Sequence, residues 1–581
     1  MPSQKSTKRA ILHLAQLADT DILPPLFEFR FFAENAEIIS EKLEKVNFGE
    51  YQPKSCFEVL SPKTRLSFRI AHQLYPLDTL LYTSAVIDIA PALEGMRLPA
   101  ENGPFSYRYV EDDQNPQLYS SSGTYHDWLL RVQELCQKEN PFAQCKSVIE
   151  TDISDFYPRI YFHRIEHILD DCGAANAVRK IIEGIIKFSR AHQSHGLPVG
   201  TAASRLLAEA LLNDTDRMIS ARGLSYARYV DDYRIIVDSE PEAHSTLCRI
   251  AEHLMVTEGL SLNAAKTKIV STDEESQQIE DRLTDVFTST ELAELNKYFK
   301  LAYDGEEVSA EDIEDVEAND LILRLAEILS RDSIDYASVK VILKALRAVS
   351  VEDPIYILEK FSELLYYTPR DFCILLGTLA QRHPESAEQM AEQVVATVSQ
   401  TPFSDMSLCR LWVAHLFVTQ ALPITSDLLE RQNLKNNVIE RRQSLLLKGL
   451  LGDRGYFREQ KTKFDEVSDW EKSALLLGMS CLAKSEYETW LNLVKNQYND
   501  MLGDEYIKWL KKNREELFEK LKFDFIIKSK QEKIADLFGG ADKLADLFAN
   551  LIKASELAGV EGAPTPPQPP PTPTTAPNSA Q

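Results

Sequence analysis

Two apolar, β-prone runs at residues 224–230 and 233–237 flank Asp231-Asp232, so the pattern predicts a hairpin that carries both carboxylates at its turn. An earlier run, Ser147-Val148-Ile149-Glu150-Thr151, predicts a strand ending at Asp152. Pro158 then opens a helical run through Tyr161, Ile165 and Ile168, proline being suited to a first turn. A second helix is predicted over 205–212, after the small-residue stretch Gly196-Leu197-Pro198-Val199-Gly200-Thr201-Ala202-Ala203-Ser204. Residues 1–145 mix short helices with connecting segments, and 146–270 alternate strands and helices. From about 285 to 525 the periodicity is almost wholly helical, with runs at 336–349, 354–365, 371–381, 386–398 and 408–418 separated by short polar or Pro-containing breaks. Successive helices of similar length predict stacked pairs, an α-solenoid of HEAT-like character, although no clean sequence repeat accompanies them. Ile534-Ala535-Asp536-Leu537-Phe538 recurs as Leu544-Ala545-Asp546-Leu547-Phe548, an amphipathic stripe broken at Gly539-Gly540 that suits packing on its own domain or self-association. Residues 561–581 are Pro/Thr-rich and are expected to be disordered or polyproline II.

Three carboxylates delivered by two strand ends are what a two-metal site needs. Two Mg²⁺ ions about 3.5–4 Å apart activate an attacking hydroxyl and stabilise a departing pyrophosphate, and a protein holds Mg²⁺ through a few carboxylates plus substrate phosphates. Asp152, Asp231 and Asp232 are the expected catalytic and metal-binding residues, with the Ile153 backbone carbonyl a further ligand and Mn²⁺ an acceptable substitute. The small residues before the 205–212 helix let backbone approach a base or sugar closely. After the hairpin, Gly259-Leu260-Ser261-Leu262-Asn263-Ala264-Ala265-Lys266 presents a lysine able to face a phosphate or protonate pyrophosphate.

These four blocks, in this order, resemble palm motifs A, B, C and D of reverse transcriptases. Within that superfamily, Asp152-Ile153-Ser154-Asp155-Phe156-Tyr157-Pro158, Gly196-Leu197-Pro198-Val199-Gly200 and the long helical extension look most like the bacterial abortive-infection and unknown-group enzymes, which are anti-phage defence proteins. The resemblance implies an α+β fingers and palm followed by an all-α, HEAT-like helical domain in place of a normal thumb. The expected division is N-terminal and fingers region 1–145, palm 146–270, helical domain 271–550 and tail 551–581. It also implies a DNA polymerase that takes dNTPs, works without a template, starts synthesis on a protein hydroxyl and assembles as a homo-oligomer. Asp155, Phe156, Tyr157, Pro198, Val199, Gly200 and Lys266 would line the nucleotide, with Tyr157 a steric gate against a ribose 2′-OH. In the fingers, Lys63 and Arg69 of Ser61-Pro62-Lys63-Thr64-Arg65-Leu66-Ser67-Phe68-Arg69 would contact the triphosphate, and Arg108 lies on a strand that reaches the site or merely the surface. Tyrosines of the N-terminal part such as Tyr51, or of the fingers such as Tyr119 and Tyr125, suit covalent attachment of DNA better than those within the helical repeats, and the sequence does not choose among them.

One residue departs from the usual pattern. Most templated reverse transcriptases carry Gln before the second Gly of motif B, whereas Val199 cannot hydrogen-bond through its side chain to a base or sugar. Charge changes the picture in the same direction. The chain of 581 residues has net charge −25, of which about −7 falls in residues 1–270 and about −18 in the rest. Where a basic thumb would track a duplex, Ser271-Thr272-Asp273-Glu274-Glu275-Ser276 begins an acidic stretch reaching Asp315, and like charge repels phosphate. Broad non-specific DNA binding is disfavoured; a small channel with local positive charge is expected. The eight cysteines show no CxxC pair or ligand-spaced histidine, so zinc and disulfides are not indicated, and His192 and His195 suit loop polar groups. The short basic N-terminus is followed by an apolar segment interrupted by Gln16, Asp19 and Asp21, which predicts no signal peptide or membrane span and a cytoplasmic enzyme. Three alternatives remain open: an RNA-templated reverse transcriptase working with a non-coding RNA, a helical-repeat scaffold protein, and an HEPN-like ribonuclease toxin. The last rests on the Arg-x₄-His spacing of Arg410 and His415, whose intervening residues are all apolar, as in an ordinary buried helix.

Overall fold

The computed structural model describes residues 1–525 except 46–47, 114, 138–145, 191–192, 285–317, 332–333, 335 and 499. Cys145, His192, most of the acidic stretch, the paired Leu-Phe segments and the Pro/Thr-rich tail lie outside the described residues.

The site is carried by a four-stranded antiparallel sheet, β3 (Ser147–Asp152), β4 (Ser225–Tyr229), β5 (Asp232–Val237) and β6 (Lys268–Ser271), in the order β4-β5-β3-β6. A separate hairpin of β1 (Phe57–Thr64) and β2 (Ser67–Gln73) precedes it. Every residue of β3 is buried, because the strand is central and covered on both faces. Alternation along the strands divides the sheet's apolar residues in two. Val148, Ala227, Ile236 and Val270 pack with Trp128, Val132 and Leu135 of helix Tyr125–Gln137, while Ile149, Tyr226, Tyr233 and Ile235 join the main core. Helix Pro76–Met96 is apolar nearly all round and therefore interior, with helices Gln4–Leu17, Asn176–Ser189 and Ala202–Leu211 against it. Pro158 does not open the long helix. It sits within a short turn, Phe156–Arg159, and the main helix starts afresh at Phe162–Asp171.

Beyond β6 and the acidic helix Thr272–Thr284, the described residues hold helices and no strands. Helix Tyr336–Ala348 packs on Pro369–Arg382, that on Ser407–Val418, that on Val438–Leu450, and that on Asp469–Gly478. The last pair approaches closely because both helices carry glycine: a Cβ on Gly449 would lie 2.6 Å from Gly478 Cα. This layer is fused to the N-terminal third through buried polar ties. Trp412 Nε1 donates to Ile22 O at 2.7 Å, Arg442 Nη2 to both Glu28 oxygens at 2.9 Å, and Trp470 Nε1 to Ser55 O at 2.7 Å. One continuous apolar core therefore runs from the first helix, Gln4–Leu17, to Phe525. No described helix is long and apolar enough to cross a membrane.

Candidate active site

Antiparallel register sets Asp152, at the end of β3, opposite Asp232, at the start of β5. Tyr229 pairs with Asp232, so Val230 and Asp231 alone form the turn, with Val230 in the left-handed region at φ 56°. That is costly for a β-branched residue and marks a turn held from outside. It brings carboxylate oxygens of Asp152, Asp231 and Asp232 within 4.8 Å of one another. Burial, then the charges of Asp232 and Asp152, push the Asp231 carboxyl up to about 7. Crowded oxygen donors of like charge are the set a hard divalent cation binds and relieves, so the residues fit such an ion.

The segment after the hairpin steadies the third acid. Asn263 donates its backbone N–H to Asp152 O at 2.7 Å and its Nδ2 to Asp152 Oδ2 at 3.0 Å. Lys266 Nζ lies 3.0 Å from the same Oδ2. Burial opposes the charge on Lys266, but Asp232 and Asp152 outweigh it and hold the ammonium above its ordinary value.

A family model described as reverse transcriptase (RNA-dependent DNA polymerase) matches residues 94–299, which include all three carboxylates and Lys266. The chain carries a reverse transcriptase domain. It is accordingly an enzyme of the nucleotidyltransferase class. Among solved structures, the chain is similar to telomerase from Candida albicans in complex with a TWJ fragment of telomeric RNA, at 11% identity and a TM-score of 0.29, covering 70% of this chain and 71% of that one. Telomerase from Candida tropicalis with a TWJ fragment gives 12% identity and a TM-score of 0.31, covering 65% and 67%. No curated protein matches the chain.

Within the reverse transcriptase domain, motifs A and B touch: Leu197 N–H donates to Tyr157 O at 2.9 Å. Tyr157 packs its ring on Phe156 at 5.4 Å, and its phenol is pushed well up by burial, by Tyr107 and by Glu209 and Asp231 beyond. Tyr157 is half-buried, Phe156 is a core residue, and Asp155 is exposed in a left-handed conformation, φ 47°, 3.8 Å from Arg159. The motif B loop is pinned by the fingers. Val199 donates its N–H to His72 Nδ1 at 3.0 Å and accepts from His72 N–H at 3.1 Å. Gly200, at φ 112°, sits against Thr20, where a Cβ would meet Oγ1 at 2.5 Å. Pro198 is buried beside them. Ile153 is buried, its N–H donating to Asp231 O at 3.2 Å.

Lys63 and Arg69 are exposed on the β1–β2 hairpin. Arg69 belongs to a cationic group that the motifs did not reveal. Asp21, its side chain 53% exposed, pairs with Arg205 at 2.8 Å. Desolvation in this recess would raise its carboxyl, but Arg205, Arg370, Arg69 and Lys340 hold it well below the usual carboxylate range. Arg205 also lies over the Tyr107 ring, 5.1 Å from its centroid. Asp21 thus lies in positive charge drawn from the fingers, the motif B helix and the helical region of an otherwise acidic protein.

Other candidates do not reach the site. Arg108 pairs with Glu94 and donates to Leu98 O at 2.7 Å, so it braces a loop. His195 is exposed and bridges to Tyr161. Arg410 is buried and clamped to Glu440 at 2.7 and 2.9 Å, while burial pushes His415 down to about 4. Neither side chain can meet a phosphodiester, which removes the ribonuclease reading. The three tyrosines named as acceptors are each engaged by the fold. The Tyr51 hydroxyl is buried near Asp78 and its pKa pushed far up by burial; the Tyr119 hydroxyl donates to Ala202 O at 2.9 Å; and Tyr125 packs on Trp128 and Tyr229, at 5.1 and 5.3 Å. The seven described cysteines are free.

Proposed function

We propose that the enzyme is a Mg²⁺-dependent DNA polymerase of the abortive-infection kind, which polymerises dNTPs without a template and begins on a protein hydroxyl. The observation that carries the polymerase reading is the convergence of Asp152, Asp231 and Asp232 within 4.8 Å at the strand ends of a reverse transcriptase domain. When bound, divalent ions activate the attacking hydroxyl and neutralise charge on the leaving pyrophosphate. Lys266, charged and beside Asp152, would give a proton to that leaving group. Tyr157 would exclude a 2′-OH, and Lys63, Arg69 and Arg205 would attract phosphate into the cleft.

Template independence is supported by Val199. Both backbone polar groups of that residue are engaged by His72, and its side chain offers nothing to a template base. The acidic second half of the chain supports it as well, since a long duplex would meet repulsion there. The alternating helix stack supports a HEAT-like domain that walls off the cleft, and we assign the protein to anti-phage defence in the cytoplasm as a homo-oligomer on the family resemblance. The acceptor hydroxyl would be one less confined than those of Tyr51 and Tyr119. The deciding experiment incubates purified protein with each labelled dNTP and Mg²⁺ or Mn²⁺, without nucleic acid, and resolves the products on a denaturing protein gel. Label that stays with the polypeptide after boiling and shortens with DNase is expected. Incorporation that requires an added RNA template and primer would return the reading to a templated reverse transcriptase.

A further inference from the structure

Beneath the catalytic turn lies a set of charges that the polymerase motifs do not include. Arg228, fully buried, donates Nε and Nη2 to Asp216 at 2.9 and 2.6 Å and Nη1 to Glu209 at 2.9 Å. Arg97 Nη2 reaches the same Glu209 oxygen at 2.7 Å, so two guanidinium groups and two carboxylates balance one another inside the protein. The other Glu209 oxygen accepts from Ser106 Oγ. Buried ionic groups survive only when each is paired and hydrogen-bonded, and here each member is.

This network closes on one residue, through the peptide groups on either side of its Cα. Val230 donates its N–H to Ser106 Oγ at 2.7 Å, and its carbonyl accepts from Arg228 Nη1 at 2.8 Å. Val230 is the left-handed, β-branched residue of the two-residue turn, and its successor is Asp231. The members come from different places. Ser106 lies in the segment whose Pro104 bridges to Arg228, Glu209 on the motif B helix, Asp216 on helix Asn213–Ser220, and Arg228 on β4. Gly103 lets that segment lie against the strand, since a Cβ there would fall 2.2 Å from the Tyr226 ring.

We propose that Ser106, Glu209 and Arg228 are positioning residues that hold Val230 in its left-handed conformation, so that Asp231 is presented to the metal site together with Asp152 and Asp232. Without them the peptide relaxes toward ordinary β geometry and the Asp231 carboxylate leaves the cluster. The idea rests on the polymerase reading only for the identity of the reaction. The placement of the carboxylates can be tested separately with Mn²⁺ as a probe.

The experiment compares Ser106→Ala, Glu209→Gln and the double variant Ser106→Ala/Val230→Gly with wild type. Free Mn²⁺ is followed by electron paramagnetic resonance, nucleotide incorporation by steady-state kinetics, and folding by thermal unfolding. Ser106→Ala should weaken Mn²⁺ binding and lower kcat by about 10- to 100-fold, the range seen when groups that orient metal ligands are removed, with KM for dNTP changed less than about twofold. Glycine adopts positive φ without strain, so Val230→Gly should restore most of both losses. The conservative Glu209→Gln keeps an acceptor for Ser106 and should fall between the two. Wild-type Mn²⁺ affinity in a folded Ser106→Ala protein would overturn the proposal. So would a deficit that persists undiminished when glycine replaces Val230. Failure of the polymerase reading would look different: wild type would incorporate nothing, while the Mn²⁺ comparison would still discriminate.

Discussion

The half-buried cluster at Asp231 and the buried cluster at Arg410 both mix elements distant in sequence, yet only the first sets three like charges side by side. Around Arg410, the Glu440 carboxylate takes two guanidinium hydrogen bonds and further bonds from Asn437 and the Lys435 N–H, so every formal charge has its partner. At the palm turn, three carboxylates crowd together against one lysine, and the Asp231 carboxyl is driven up to about 7. A structural cluster neutralises itself. A cluster of like charges suited to a divalent cation does not, and that contrast separates the two where residue spacing could not.

The sharpest way to break the comparison is to remove one acid from the unbalanced cluster. Asp231→Ala should abolish incorporation, a loss of several kcal/mol in transition-state stabilisation and more than about a thousandfold in rate. It should leave thermal stability equal or higher, because like-charge repulsion is relieved. A folded variant that still incorporates nucleotide would end the polymerase reading. Removing the cation from the balanced cluster should do the reverse. Arg410→Ala strands a buried Glu440 and should cost about 3–5 kcal/mol of stability in urea unfolding, while the folded fraction keeps its full incorporation rate. Ribonuclease activity in wild type that disappears in this variant would reinstate the HEPN assignment.

How far these clusters could be read from sequence follows from the range of the interactions. The Asp231 turn was legible because alternating apolar runs bracket it locally, and Asp152 because a strand ends there. The helical half was legible because each amphipathic helix writes its own periodicity. Partners more than a hundred residues away leave no such trace: Ser106 against Val230 and Asn263 against Asp152 are invisible until the chain folds. The same holds for the ties from Trp412 to Ile22 and Arg442 to Glu28, which fuse the helical stack to the N-terminal third. Pro158 misled because proline is equally at home in an isolated turn. Arg-x₄-His misled because the residue that decides its meaning, Glu440, lies 30 positions away.

A third region sharpens the contrast by titration. Asp78, 1% exposed, accepts the Lys54 N–H at 2.8 Å but meets no cation at bonding distance among the described contacts, and burial pushes its carboxyl up to about 7. Its folded value thus lies above the unfolded one, so the folded state keeps a proton that the unfolded chain has lost. The stability it contributes is full below about pH 4 and is lost as pH rises through about 7. His13, His72 and His415, pushed down by burial, act in the opposite sense below pH 6.5, so the wild-type profile alone is a mixture. The difference between wild type and Asp78→Asn isolates the acid: the wild type's relative stability should be about 3–4 kcal/mol greater at pH 4 than at pH 8. A difference independent of pH would mean that Asp78 is ionised in the fold.

The smallest effect concerns selectivity inside the unbalanced cluster. Tyr157 packs on Phe156 at the edge of the core, and the proposed steric-gate role would set its ring beside a reacting nucleotide. Tyr157→Val should open a volume large enough for a hydroxyl. Rejection by steric contact is a difference of about 1–3 kcal/mol, so the ratio of kcat/KM for rNTP to that for dNTP should rise about 10- to 100-fold, chiefly through the rNTP. Incorporation of dNTP should fall only modestly, because the three carboxylates and Lys266 are untouched. An active variant with an unchanged rNTP/dNTP ratio would place Tyr157 among the balanced, structural residues instead, and the discrimination would then have to come from the backbone of the pinned motif B loop.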